Sequence, residues 1–552
     1  MFSLRDIPFS YSGSWFCFSP VVAEKRYAED VHLVSHQNGM HAILRLVPAA
    51  GSIVTATPYQ LTWSGDGGRI DLAYESADTV RVRGRGLGLR LLAADPVLTP
   101  FSGPYFYQDP VDGSSVFTVY QTGRRYRITV LDGRSEQLGA QALGAAERGV
   151  VLSGDWEIAV EEYETARAPY ASEAVFEQVV KAARAEFDAF VAAVAPWRSD
   201  RTPAAELAAY VLWSATVRPA GFVTRPAVLM SKHWMDKVWS WDHCFNAIAL
   251  AGGLPELAWD QFLLPFDHQD PAGALPDSVT HSEILYNFVK PPIHGWALGH
   301  LPPAADPERT YRLLERWTRF WLESRRAPGR GLPHYQHGND SGWDNATTFD
   351  HERVVETADL AAFLVLQMRT LARLTGEPAV AAEWTARADG LLEDLLAELW
   401  DGDRFVARGA RSGQARSSSS LLDLLPIVLG EELPQPVRAT LAARIEQHLT
   451  EFGPATELPS SEHYQDDGYW RGPIWAPSTI LIEDGLRRAG HPELADEISA
   501  RFRALCERSG FAENFDARTG EGLRDRAYTW TASAYLILAA AHEQRCFPPH
   551  VC

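Results

Sequence analysis

The spacing of apolar residues changes once along the chain, and that change limits the folds open to it. From about residue 29 to 163, short runs such as VHLVSH, TVRVRG, SSVFTVYQTG, YRITVLDG and WEIAVEEY alternate apolar with polar side chains. A repeat of two puts successive side chains on opposite faces of a strand. Turn formers such as Asp132-Gly133 between the runs make antiparallel hairpins of them. After about residue 165 the repeat lengthens to 3.6. An amphipathic helix is expected over about 173–195, followed by twelve more helical segments between about 203 and 543, among them 281–300 and 418–430. With 552 residues the chain exceeds one ordinary core. The reading is a mainly α protein: an N-terminal antiparallel β-sandwich domain over 1–165, a helical linker over 166–200, and an (α/α)6 toroid catalytic domain over 201–552.

Composition removes several function classes. A net charge of -20 opposes both a polyphosphate backbone and an anionic membrane, so neither nucleic acid nor membrane is expected as a partner. No stretch of 18 residues is apolar throughout, and the first residues lack a basic stretch followed by an apolar run. The 5 cysteines (Cys17, Cys244, Cys506, Cys546, Cys552) form no C-x-x-C pair. These features suit a cytoplasmic, soluble protein. There is no Gly-rich phosphate loop, no H-E-x-x-H and no G-x-S-x-G. His233, His243 and His268 lack metal-ligand spacing, so no cofactor and no metal are expected.

Five loop strings carry the chemistry. In KVWSWDH, Trp241 can stack on a sugar while Asp242 accepts bonds from two vicinal hydroxyls; its ordinary alternative is to cap a helix. In HGNDSGWDNA, Asp344 follows Trp343, an aromatic side chain that desolvates it. A carboxyl so placed keeps its proton near neutrality, as a general acid must. In FAENFDARTG, Glu513 leads a turn, with a salt bridge to Arg518 or Arg524 as the plain alternative. In GYWRGPIW, Trp470, Arg471 and Trp475 are candidate walls around the Gly472-Pro473 turn; Arg471 either holds a carboxylate or binds a ligand oxygen, with a structural salt bridge as the plain alternative. The fifth is QDPAGALP (269–276) with KPPIHGW, where His294 either donates to a sugar hydroxyl or is a satisfied core histidine. Two acids in separate aromatic loops are the recurring requirement of glycoside hydrolysis.

Together, WSWDHCFNAIAL, KPPIHGWAL, DSGWDNAT, YWRGPIWAPS and ENFDARTG resemble the inverting (α/α)6 glycosidases, most of all glycoside hydrolase family 63, with the family 37 trehalases as near relatives. The resemblance covers about 200–543. It implies Asp344 as general acid, Glu513 as general base, and sugar contacts at Trp241, Asp242, His294, Trp343, Asn345, Trp470, Arg471, Gly472 and Trp475. Asp340 stands where relatives often have Glu. The resulting expectation is an exo-acting inverting α-glucosidase acting on a small-molecule carbohydrate. A trehalase or a glucosyl- or mannosylglycerate-type hydrolase is the alternative within the same mechanism. A polysaccharide lyase and a noncatalytic carbohydrate-binding toroid are the rivals of other classes. Oligomeric state is not readable from the sequence.

Overall fold

The computed structural model describes residues 1–49, 52–65, 67–139 and 143–546. The chain divides into two compact units. The first comprises Met1–Ala193 with Ala209–Lys237 and Thr280–Ser282; the second comprises Val194–Ala208, Val238–Val279 and Glu283–Cys552.

The first unit is built on two antiparallel sheets. One has six strands in the order Phe16–Ala23, Arg26–Ser35, His41–Pro48, Leu89–Ala93, Gly149–Leu152 and Ser135–Leu138. The other has eight, in the order Pro104–Gln108, Ser115–Val119, Arg124–Asp132, Trp156–Tyr163, Thr79–Arg85, Gly68–Ser76, Leu61–Gly65 and Ile53–Ala56. The period of two sorts the central strand Thr79–Arg85: Val80 and Val82 are buried on one face, and Arg81 is buried on the other. That second face needs counter-charges, which Glu157 and Glu75 supply to Arg81 and Glu161 to Arg127. The helix Phe176–Val194, expected above as a linker, lies over it. Phe176 and Val179 pack with Ala73, and the Arg83 guanidinium sits 4.4 Å from the Phe176 ring.

The second unit is helical, and its helices start where chemistry predicts. Pro255, Pro307, Pro378 and Pro492 each open a helix, where the missing N–H costs nothing. Asp306 caps one of them by accepting from Arg309 N at 2.9 Å. Packing runs from Asp242–Leu250 to His294–Leu298, then to Ala358–Leu374, Leu421–Glu432, Ala476–Arg488 and Thr529–Cys546, and the last packs back on the first. Outside this closed series, Pro255–Asp267, Pro307–Arg319, Pro378–Leu399, Gln435–His448 and Pro492–Ser509 each pack on members of it.

Two expected helices are corrected. The span 281–300 holds only the five-residue helix His294–Leu298, preceded by a small hairpin in which Ser278–Val279 pairs with Ile284–Leu285. Pro291 and Pro292 cannot continue a helix from the N-terminal side. The span 418–430 is a 3-10 run, Leu421–Glu432, containing Pro426 and broken at Gly430 (φ 57°, ψ -126°). Among the described residues, no helix is long and apolar enough to cross a membrane. Cys17, Cys244, Cys506 and Cys546 are free thiols, and Cys552 lies outside the described residues.

Candidate active site

Each chemical string lies on the N-terminal side of an element of the closed series. Trp241 and Asp242 precede or open Asp242–Leu250, Lys290 precedes His294–Leu298, and the Asp344 loop leads into Ala358–Leu374. Ser417 to Ser420 precedes Leu421–Glu432, the Tyr469 to Trp475 string precedes Ala476–Arg488, and Glu513 to Tyr528 precedes Thr529–Cys546. Loops on rigid elements are where precise side-chain placement is possible.

The loop of Asp344 is tightly specified. Asp340 is buried: Oδ2 accepts from Gln336 N at 2.8 Å and pairs with Arg325 Nη1 at 2.8 Å, while Oδ1 accepts from Val289 N at 3.1 Å. The departure from Glu at this position thus falls on a structural carboxylate. Ser341 Oγ donates to Gly338 O at 2.6 Å and accepts from Trp343 N at 3.1 Å. Gly342 adopts φ +73°, and a Cβ there would lie 2.5 Å from the Trp241 ring, so only glycine fits. Asp344 itself remains partly exposed.

Glu513 is held from the other side. Its N–H donates to Asp525 O at 2.7 Å, and its carbonyl accepts from Trp530 Nε1 at 3.3 Å. The two arginines considered as its partners turn to the 464–469 loop. Arg518 pairs with Asp466 at 3.3 Å and lies 4.5 Å over the Tyr464 ring. Arg524 pairs with Asp467 at 2.6 Å and lies 4.9 Å over the Tyr469 ring.

Electrostatics tie these loops into one cluster. Burial raises the Asp344 carboxyl above its usual range; Lys290 opposes, Asp277 reinforces, and a hydrogen bond from Tyr469 and the His337 ring oppose. Burial pushes Asp242 up to about 8, against Lys290 and with the fields of Asp277 and Asp344. The Tyr469 phenol is raised well above its range by burial, then by Asp344 and by Glu513, with Arg524 opposing and Asp242 adding. Burial raises Tyr528 likewise, followed by Glu513, Asp242, Tyr469 and Asp525. One phenol therefore lies in the fields of both acids singled out from the sequence. The helix starting at Asp242 has Trp241, not Asp242, at its N-cap position, with no side-chain cap bond.

The aromatic residues form a continuous cluster. Trp470 stacks on Trp475 at 4.1 Å and 6°, and Trp343 lies 4.6 Å from Trp470. Trp241 contacts Trp470 at 6.5 Å and Trp530 at 5.8 Å, and Trp475 Nε1 donates to Tyr469 O at 2.8 Å. Trp241, Trp343, Trp470 and Trp475 keep only 1–3% of their surface. Most of their faces are spent on one another.

Four further candidate residues are engaged within the fold, His294 and Arg471 as their plainer alternatives have it. His294 is fully buried; Trp317 Nε1 donates to its Nδ1 at 3.2 Å, Nε2 faces Ser240 O at 3.1 Å, and burial pushes it down to about 3. It is a neutral core histidine, not a sugar donor. Asn345 spends its amide on backbone, donating to Gly468 O at 3.0 Å and accepting from Trp470 N at 3.0 Å. Arg471 donates to Asn345 O at 2.7 Å and pairs with Asp350. Gly472, at φ +148°, serves the turn, since a Cβ would meet Gln465 O at 2.2 Å. Asn345 and Arg471 hold the 468–472 loop against the Asp344 loop.

Sequence reasoning missed Asp277, Lys290, Tyr469 and Tyr528. Asp277 lies one residue beyond the QDPAGALP string, and Lys290 opens KPPIH but was overshadowed by its histidine. Tyr469 has φ 64°, rare for a tyrosine, which sequence cannot announce. Among the described residues, no group of three or more His, Cys, Asp or Glu side chains is arranged to hold a metal ion.

A family model described as the mannosylglycerate hydrolase MGH1-like glycoside hydrolase domain matches residues 235–531, more than half of the chain. The protein is a glycoside hydrolase. It belongs to this MGH1-like family, within glycoside hydrolase family 63. Similar proteins include a mannosylglycerate hydrolase of Rubrobacter radiotolerans, 25% identical over 57% of this chain and 92% of the relative. A glucosylglycerate hydrolase of Mycolicibacterium hassiacum is 24% identical over 60% of this chain and 97% of the relative. Among solved structures, a family 63 mannosylglycerate hydrolase of Thermus thermophilus in complex with glucose has a TM-score of 0.52 and 23% identity, covering 60% of this chain and 98% of that one. The same protein is also known in complex with Tris and D-glycerate. This likeness is one of fold.

Proposed function

We propose that the protein is an exo-acting, inverting α-glycosidase whose second unit is an (α/α)6 toroid, and that it hydrolyses an α-hexoside of a small aglycone such as glycerate. Asp344 protonates the glycosidic oxygen as the bond to the anomeric carbon breaks. Glu513 removes a proton from the water that attacks the opposite face of the ring, and the product emerges with inverted configuration. Asp242, which carries a proton in the neutral pH range, both donates to and accepts from sugar hydroxyls, and edges of Trp241 and Trp343 border the ring.

The observation that carries this reading is the position of Tyr469 in the fields of both Asp344 and Glu513, which brings the two acids to one cluster although they are far apart in sequence. The raised Asp344 carboxyl, partly exposed and next to buried Trp343, suits an acid that must hold its proton until the leaving oxygen arrives. The names of the relatives support glycerate as the aglycone over a longer saccharide. The closed series of six inner elements supports the toroid.

The test is a panel of α-glucosides and α-mannosides that includes glucosylglycerate, mannosylglycerate and trehalose, with the released sugar followed by NMR. The expected result is fastest turnover of a hexosylglycerate and initial appearance of the β-anomer. Initial α-anomer would remove the inverting mechanism, and faster turnover of trehalose or a maltooligosaccharide would remove the small charged aglycone.

A further inference from the structure

Three carboxyl groups from different segments, Asp242, Asp277 and Asp344, act on one ammonium, and Asp277 is in direct contact with it. Lys290 is buried; its Nζ lies 3.1 Å from Asp277 Oδ1 and donates to Asn339 O at 3.0 Å. Asn339 belongs to the short helix Gly338–Ser341 that leads into Asp344. One side chain therefore joins the Asp277 loop to the segment that aims Asp344. An ammonium has three N–H donors, and these two contacts leave one for the interior of the cluster.

We propose that Lys290 is a positioning residue for the general acid: it holds the Asp344 loop through Asn339, neutralises Asp277, and supports the carboxylate that forms at Asp344 when the proton leaves. This rests on the assignment of Asp344 made above. The charge argument follows from the reaction itself. As the glycosidic C–O bond breaks, the proton of Asp344 passes to the leaving oxygen and a negative charge appears at Asp344, beside Asp277 and Asp242. A fixed cation at that place stabilises the developing charge more than the starting state, which is the condition for accelerating the step.

The groups facing Asp344 are Lys290, Asp277, Tyr469 and His337, and those facing Lys290 are Asp344, Asp277 and Asp242. Asp242 in turn faces Lys290, Asp277 and Asp344. Lys290 is the cation common to both acids. Removing it leaves the cluster with more negative charge, so Asp344 keeps its proton to higher pH and yields it less readily. Apparent values belong to the coupled cluster, so they are read as shifts between variants.

The experiment compares Lys290→Met, Lys290→Gln and Lys290→Arg with the wild type. One measurement is kcat/KM against pH on the best substrate of the panel; the other is direct titration of the Asp344 carboxyl by difference infrared spectroscopy, referenced to Asp344→Asn. In Lys290→Met, kcat is expected to fall at least about tenfold, and both the basic limb and the Asp344 titration to move up by about one pH unit, a tenfold change in proton affinity. Lys290→Arg restores the position of the limb. Should Lys290→Met fail to fold, Lys290→Gln, which keeps a donor for Asn339, carries the same expected shift. An unmoved Asp344 titration in a folded, charge-removing variant overturns the proposal. Because that titration needs no turnover, it reads Lys290 even if the wild type releases no inverted sugar, an outcome that would instead sink the assignment of Asp344.

Discussion

Buried carboxyl groups meet different partners on the covered sheet face and at the candidate site. On the covered face of the eight-stranded sheet, Glu161 meets Arg127 at 2.7 Å and Arg167 at 3.0 Å, and Glu157 meets Arg81. Guanidinium forks match carboxylates geometrically, so these acids are paired and hydrogen-bonded. In the helical unit, Asp242, Asp277 and Asp344 share the single ammonium of Lys290, and Asp423 is held by hydroxyl and backbone donors of Thr348 and Ser418. Burial accordingly pushes Asp423 up to about 7 and Asp242 up to about 8. Glu157 and Glu161 are met by guanidinium groups; at the candidate site Asp242, Asp277 and Asp344 lie in the field of one ammonium, an under-compensated state that suits acid and base chemistry.

The contrast breaks most visibly at the two reacting acids. Asp344→Asn and Glu513→Gln should each lower kcat/KM by about 10³-fold or more with melting temperature and circular dichroism retained. A loss below tenfold in either would remove that residue from the mechanism. Next in size, Arg127→Met should leave Glu161 without its principal partner in a dry environment, destabilising the sheet unit by about 3 kcal/mol, measured by urea unfolding, with kcat unchanged.

The third effect has the opposite sign. Asp242 is held near 8 in the folded chain but titrates near about 4 when unfolded. The folded form then binds the extra proton, so this group's contribution is fully present below pH about 4 and declines as pH rises toward about 8. Asp242→Asn should therefore melt about 2 °C or more above wild type at pH 7.5, and the two curves should coincide near pH 4. Equal melting at both values would show that the site carries no such strain. The smallest effect is expected for Asn345→Ala. Loss of its two backbone contacts costs about 1–2 kcal/mol locally, seen as a KM raised severalfold with global melting unchanged.

What could be read in the sequence follows physical range. The change of period marked where strands give way to helices, although the helix Phe176–Val194 and residues 209–237 group with the sheet unit; the WSWD, SGWD, YWRGP and ENF strings were legible because each is contiguous. What escaped depended on partners distant in sequence. His294 looked like a donor because nothing nearby reveals Trp317 Nε1 lying 3.2 Å from its ring. Asn345 and Arg471 looked like sugar ligands because their commitment to the 468–472 loop and Asp350 is tertiary. Asp277 belongs to no distinctive string, and Tyr469, although it opens the YWRGP string, carries no local sign of its role; only folding brings both beside Asp344.

The doubled attachment between the 464–469 loop and the hairpin formed by Asn514–Phe515 and Gly522–Leu523 has a mechanical consequence. Arg518 and Arg524 each rivet a tyrosine and an aspartate of the opposite loop, and two rivets resist twisting where one would act as a swivel. Tyr469 and the backbone of Glu513 should then travel as a single rigid plate. Amide hydrogen exchange across both segments should be released together at one rate, and cutting either rivet should turn the plate into a hinge.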